Sequence, residues 1–444
     1  MNYVIIGGSA AGVTACETIR KHNKKSSITL ISDEKFPLYS RCLLTYLIAG
    51  TIGEDKLCFK DKNFYKENDI KTYLGKKAVS VDRKERRVSL EGGTKISYDK
   101  LLIATGATPK SVDVPGVDKK GVLTVRKIDD ARAIMNMLDN VKEIAVLGGG
   151  LIGLRDAYAL RQRDKKVTVI VKSPQVLSQM VDMDAARVIA SVLEKNGIKI
   201  MTGVAAKEIA GDKSVESILL DNGERLACQL VIIGKGVKPN TELASSAGLK
   251  VEDGIVVNEF LQTSDKNIFA AGDVAETYDI ARESGRINAL WPCAVEQGGI
   301  AALNMLGKKK TYDGSLSMNS VDFFGLASIS MGITKPTLQL RSGSVVSEVE
   351  PPKEEKKYEI ISRTGENLYK KFVLKDNKIV GMVLVGDIKT AGIVSALIKN
   401  KIDVSSIKDI LLDDDFNYAK IMPLVKKFGD KFGQEEFNDT VITY

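Results

Sequence analysis

The chain has 444 residues, 44% of them apolar and 27% charged, with one histidine and a net charge of +8. That length supplies about three ordinary domains, each with its own core. No apolar run reaches the roughly 18–20 residues of a membrane-spanning helix, and no basic stretch is interleaved with aromatics in the manner of a nucleic-acid module.

The first strand, Tyr3-Val-Ile-Ile6, begins almost at the first residue, so no signal peptide is expected. Gly7-Gly-Ser-Ala-Ala-Gly12 follows it, then a helix-like stretch and a second apolar run, Ser27-Ile-Thr-Leu-Ile31. Strand, glycine turn, helix and strand in that order form a dinucleotide cradle. Backbone N–H groups and the positive end of a helix face a pyrophosphate, and missing side chains allow close approach. Gly7, Ser9, Ala10, Ala11 and Gly12 are its candidate residues. A carboxylate about 20 residues further on ordinarily holds a ribose hydroxyl. Ser32 stands at that position, so Asp33 or Glu34 must serve. His22, within Arg20-Lys-His-Asn-Lys-Lys25, reads as a solvated loop residue, which leaves no histidine for acid–base chemistry.

Phe36-Pro-Leu-Tyr-Ser-Arg-Cys-Leu-Leu-Thr-Tyr46 opens the next helix and contains Arg41 and Cys42. A helix N-terminus and Arg41 would both lower the pKa of Cys42; an inert, buried small hydrophobe is the opposing reading. The five cysteines, Cys16, Cys42, Cys58, Cys228 and Cys293, contain no Cys-x-x-Cys pair and no metal-ligand spacing. Reduced thiols in a cytoplasmic protein without a metal site are therefore expected. Leu101-Leu-Ile-Ala-Thr-Gly106 is a buried strand ending in the small-residue turn Ala104-Thr105-Gly106.

A second unit of the same design starts at Glu143-Ile-Ala-Val-Leu-Gly-Gly-Gly-Leu-Ile-Gly153 and runs through a helix into Lys166-Val-Thr-Val-Ile-Val171. Gly148, Gly150, Leu151, Ile152 and Gly153 form its cradle, and Lys172 follows the strand. Two such units in one chain point to two dinucleotides and to electron transfer between them. Leu230-Val-Ile-Ile-Gly-Lys-Gly adds Gly234, and Asn267-Ile-Phe-Ala-Ala-Gly-Asp273 places Gly272 and Asp273 directly behind a strand. Trp291-Pro292-Cys293-Ala294 then starts a helix. Beyond the lysine run Lys308-Lys-Lys310, Ser347–Lys357 reads as an exposed loop. Tyr369–Leu374 and Ile379–Val385 read as a hairpin around Lys375-Asp-Asn-Lys378, followed by a helix from Thr390 to Asn400. Lys420, Lys426, Lys427 and Lys431 make a basic C-terminal group.

Over nearly its whole length this pattern resembles the two-dinucleotide flavoprotein reductases of the pyridine nucleotide–disulfide oxidoreductase superfamily. The resemblance implies an α/β fold with two Rossmann-like domains, the second inserted in the first, and a C-terminal α+β domain. Residues 1–110 and 236–310 would bind FAD, 111–235 NAD(P)H, and 311–444 would form the C-terminal interface domain. By the same resemblance Asp273 bonds the ribityl chain of FAD, Ala104–Gly106 line the flavin, and the helix from Trp291 approaches its pyrimidine end, where a helix N-terminus stabilises negative charge.

NADH-using relatives end the last strand of the second unit in glutamate and carry an acid two residues past the last glycine. Val171, Lys172 and Arg155 stand there instead. Two cations in place of carboxylates favour a 2′-phosphate, so NADPH is expected ahead of NADH; ordinary surface charge is the opposing reading. Cys42 falls where coenzyme A-disulfide reductases and NADH oxidases keep a redox thiol, but Leu43 and Leu44 follow it where those enzymes usually have glycine. The Tyr-Ser-Arg and Leu-Leu pattern is closer to NAD(P)H:rubredoxin reductases and the flavin portion of nitrite reductases, which work without a thiol. The resemblance thus implies an NAD(P)H oxidoreductase passing electrons through flavin to a small iron–sulfur carrier of ferredoxin or rubredoxin type, docked on a basic face. A Cys42-dependent disulfide reductase or oxidase, in which Tyr418 would approach the thiol, is the alternative. A flavin subunit or redox sensor with little turnover is a third reading, and a homodimer is an open expectation.

Overall fold

The computed structural model describes residues 1–36, 38–336 and 358–431. They form two compact units, one of residues 1–174, 197–279 and 284–315, the other of 175–196, 280–283 and 316 onward.

The first unit contains two five-stranded parallel sheets that share four strand positions, the fifth strand coming last in chain order in one and first in the other. In one, Asn2–Ile6 is central, flanked by Ser27–Ser32 and Lys100–Ile103, with Ile70–Leu74 and Ile268–Ala270 at the edges. In the other, Glu143–Leu147 is central, flanked by Lys166–Val171 and Leu230–Ile233, with Ile198–Thr202 and Val122–Leu123 outside. Parallel strands need crossovers, which put cover on both faces of a sheet. The central strand shows it: Tyr3 and Ile5 join the core beneath helices Ala10–His22 and Trp291–Met305, while Val4 and Ile6 join a separate core with Val81, Val88 and Ile255. Burial on both faces is why these strands read as unbroken apolar runs rather than alternating ones.

The duplication extends further than the sequence pattern showed. Between the third and fourth strands in chain order, the first sheet carries an antiparallel three-stranded meander, Ala78–Asp82, Arg87–Leu90 and Lys95–Ser97. The strands Ala206–Ala210, Ser217–Leu220 and Arg225–Ala227 repeat it in the second half. A two-stranded link, Ala107–Pro109 with Val237–Pro239, joins the halves.

The second unit is built on a five-stranded antiparallel sheet in the order Met318–Phe323, Leu326–Gly332, Lys378–Val385, Leu368–Lys375, Glu359–Gly365. The expected hairpin is present: Asp376 and Asn377 take left-handed φ values of 51° and 58°, which asparagine and aspartate tolerate and a two-residue hairpin turn requires. Phe372, Met382 and Leu384 pack against Val394, Leu397 and Ile398 of helix Ala391–Lys399. The loop expected at Ser347–Lys357 lies outside the described residues. Among those that are described, no helix is long and apolar enough to cross a membrane.

Candidate dinucleotide and electron-transfer site

Both glycine turns have the same internal geometry. Gly7 has φ of +125°, and a Cβ there would lie 2.0 Å from the Ala104 carbonyl oxygen. Gly148 has φ of +128°, and its Cβ would lie 2.4 Å from the Gly234 oxygen. Any side chain would therefore be strained and would part the turn from the neighbouring strand. Gly12 and Gly153 close the turns: their Cβ atoms would fall 1.9 Å and 2.1 Å from the oxygens of Gly7 and Gly148. The helices that follow, Ala10–His22 and Leu151–Arg161, begin at Ser9 and Gly150 with no side-chain cap and no acid in the first turn. Their leading N–H groups are left for an anion, which is what a dinucleotide pyrophosphate supplies.

A cavity of ≈ 640 Å³ opens over the first turn. Gly7, Ser9, Ala10, Ala11, Asp33, Glu34, Arg41, Cys42, Ala104, Thr105, Gly106, Gly272, Asp273, Trp291 and Ala294 all line it, so segments far apart in sequence meet at one cavity. Gly12, Pro292 and Cys293 do not line it: Gly12 is buried in the turn, and Pro292 lies in the first turn of its helix. Trp291 both lines the cavity and packs edge-on against Phe59, with ring centroids 5.0 Å apart. Gly298 allows backbone to approach backbone, since a Cβ there would fall 2.2 Å from the Ala11 oxygen, and Gly272 takes a left-handed φ of +80°.

Five charged residues of the cavity, Asp33, Glu34, Arg41, Arg126 and Asp273, are each paired. Arg126 Nη2 donates to Asp273 Oδ2 at 2.8 Å, and its Nε donates to the Ala107 oxygen at 3.0 Å. Lys127 reaches Asp33 at 2.8 Å. Arg41 pairs with Glu34, which also accepts from the Tyr39 hydroxyl, and Arg41 Nη1 donates to the Arg126 oxygen at 2.8 Å. Arg126 and Val79 are cavity residues that sequence reasoning missed. Arg126 lies 147 residues from Asp273, and only Asp130, accepting from the Arg126 and Lys127 backbone as a helix cap, marks the segment locally.

Three expectations are corrected here. Arg41 is committed to Glu34; the cation that most opposes proton retention on Cys42 is Arg155. Although Cys42 is exposed, crowding by protein around its sulfur outweighs Arg155 and Ser40, and the thiol is raised above its ordinary pKa, not lowered. Arg155 does not stand free for a 2′-phosphate: it donates to the Cys42 oxygen at 3.1 Å and Thr45 Oγ1 at 3.3 Å and lies over the Tyr46 ring. The face of helix Leu151–Arg161 that packs on helix Leu44–Ala49 decides this, and sequence position alone does not report it. Third, His22 is the last residue of helix Ala10–His22 and not a loop residue, with Lys308 Nζ 3.0 Å from its Nδ1.

At the second turn, Val171 packs on Gly149, whose Cβ would come 2.7 Å from a valine methyl, and open space surrounds Gly150. Lys172 is exposed beside this turn.

Residues 1–298 match the family described as pyridine nucleotide-disulphide oxidoreductase, and residues 344–402 match the rubredoxin NAD+ reductase C-terminal domain. The assimilatory nitrate reductase electron transfer subunit of Bacillus subtilis (strain 168) is 32% identical over 93% of this chain and 51% of its own length. The chain spans about half the length of the first curated relatives it matches. Among solved structures, a NAD-dependent persulfide reductase from A. fulgidus superposes with a TM-score of 0.84 at 26% identity, covering 98% of this chain and 84% of that one. The covalent putidaredoxin reductase–putidaredoxin complex gives 0.84 at 25% identity, covering 96% and 99%.

Proposed function

The chain belongs to the pyridine nucleotide-disulphide oxidoreductase family, and from that premise we propose that it is an FAD-dependent NAD(P)H oxidoreductase serving a small iron–sulfur electron carrier. Residues 1–110 and 236–310 hold the flavin, 111–235 the nicotinamide cofactor, and 311–444 form a C-terminal domain. The observation that carries the reading is the pair of matched glycine cradles within one compact unit, with the Arg126–Asp273 pair beside the first.

Bound FAD supplies a carrier that accepts a hydride equivalent from reduced nicotinamide and releases electrons to an acceptor. The protein's part is placement. The Ala10–His22 helix presents its N–H groups to one pyrophosphate, the Leu151–Arg161 helix to the other, and Asp273, fixed by Arg126, offers carboxylate oxygens to the hydroxyls of the ribityl chain. A thiol relay is disfavoured because the raised pKa keeps Cys42 protonated and weakly nucleophilic at neutral pH. The second reading, electron flow through Cys42 to a disulfide or persulfide, is favoured by one observation: Cys42 both lines the cavity and is exposed.

The test is direct. Protein purified with excess FAD should retain a single noncovalent flavin per chain, Asp273→Ala should lose much of it, and an anaerobic screen of rubredoxin, ferredoxin, coenzyme A disulfide and oxygen should give fastest turnover with an iron–sulfur protein. Absence of flavin from the wild type would end the proposal, and fastest turnover with the disulfide would transfer it to the second reading.

A further inference from the structure

Two lysines border the second glycine turn from opposite sides. Lys172 follows Val171, which packs on Gly149; Lys235 follows Gly234, whose Cβ would lie 2.6 Å from Gly153 Cα. The Lys235 backbone nitrogen lies 3.4 Å from the position a Gly148 Cβ would take, so this residue directly abuts the turn. The strands Lys166–Val171 and Leu230–Ile233 flank the same central strand and run parallel to it, and both lysines therefore emerge at its carboxyl end, where the cradle opens. Neither has a carboxylate partner among the described residues. Although Lys235 is exposed, crowding by protein around it and then the Lys172 charge hold it below its ordinary pKa.

We propose that Lys235 is a binding residue for the nicotinamide dinucleotide, contacting the pyrophosphate that NADH and NADPH share, while Lys172 serves the adenosine end. The inference rests on the reading that the second turn receives such a dinucleotide. A pyrophosphate between an uncapped helix N-terminus and Lys235 relieves both the unpaired N–H groups and the unpaired ammonium. Because the pyrophosphate is common to both cofactors, Lys235 contributes affinity without choosing between them; a choice requires contact with the 2′-phosphate.

Equilibrium binding to the flavin-loaded protein tests this without turnover, using ADP-ribose, NAD+ and NADP+ as probes. ADP-ribose has the pyrophosphate but neither nicotinamide nor 2′-phosphate. Lys235→Met should weaken all three by a common factor of about tenfold, and Lys235→Arg should restore most of the loss. Lys238→Met removes an equal charge three residues away, where Lys238 already faces Glu242, and should change none of them. Unchanged ADP-ribose affinity in Lys235→Met overturns the assignment. A loss confined to NADP+ also overturns it, by moving Lys235 to the 2′-phosphate. Wild-type protein with no saturable ADP-ribose binding would refute the dinucleotide reading itself.

Discussion

Asp156, one residue past Arg155 on helix Leu151–Arg161, is 1% exposed, and neither carboxylate oxygen has a hydrogen-bond partner among the described residues. Burial holds its pKa well above the ordinary aspartate value, with Arg155 opposing. From about pH 4 upward the unfolded chain gives up this proton while the folded chain keeps it. Stability therefore falls by about 1.4 kcal/mol per pH unit until the folded group titrates. Asp156→Ala should raise the thermal unfolding midpoint, and by more at about pH 8 than at about pH 5; an equal gain at both would show that no such linkage exists. Lys172, by contrast, is exposed and has no carboxylate partner among the described residues, and the proposal gives it the adenosine end of the nicotinamide cofactor. Lys172→Glu should shift the ratio of flavin-reduction rates from NADPH toward NADH, and a wild type much faster with NADH would defeat its role. At this scale the residues legible in the sequence were those whose placement is set locally: glycines behind a strand, Asp273 after Ala-Gly, and Trp291 at a helix start. Arg126 and Arg155 were obscure or misread because their partners, Asp273 and the Cys42–Thr45 segment, meet them only through packing across more than 100 residues of chain.

Among elements, the strand Leu368–Lys375 places two consecutive lysines in buried positions, 3% and 5% exposed. Neighbours in a strand point to opposite faces, so each needs its own anion: Lys370 pairs with Asp387 at 3.0 Å and Lys371 with Asp182 at 2.6 Å. Tyr369, on the same face as Lys371, donates to Asp182 at 2.7 Å. Asp182 is also the N-cap of helix Met183–Lys195, accepting from the Ala185 N–H at 3.2 Å. Burial would raise this carboxyl, but the bonds from Lys371 and Tyr369 outweigh it and hold the pKa below the ordinary value. A depressed acid contributes stability present above about pH 4 and lost as pH falls through its folded pKa. Lys371→Met leaves Asp182 without its cation, and amide exchange in helix Met183–Lys195 should quicken by about tenfold to a hundredfold at neutral pH; unchanged exchange would show that the pair contributes nothing. Tyr369–Leu374 was legible as a strand and the hairpin from Asp-Asn, but the ion pairs that bury the two lysines were not, because Asp182 and Asp387 meet them only through packing. The two meanders were not, because their short strands are partly exposed and rich in charge.

In the whole molecule, one structural theme is used twice: a five-stranded parallel sheet, a glycine turn at the end of its central strand, and an antiparallel meander. The doubling was visible in sequence because parallel strands buried on both faces leave unbroken apolar runs before each glycine turn. The route electrons take out of the protein was not, because it depends on the state of one sulfur. Cys42 lines the cavity with its pKa raised by crowding, and Arg155, the cation that most opposes this, is bonded to backbone and hydroxyl oxygens. In the proposed function electrons leave directly from the flavin. Anaerobic titration of the wild type with NADPH, alongside turnover of Cys42→Ser with a one-electron iron–sulfur acceptor, tests this most directly. Direct exit from the flavin requires that a single reducing pair complete the wild-type titration and that Cys42→Ser retain most of the turnover; consumption of a second pair, a thiolate–flavin charge-transfer band and loss of turnover in Cys42→Ser would contradict it.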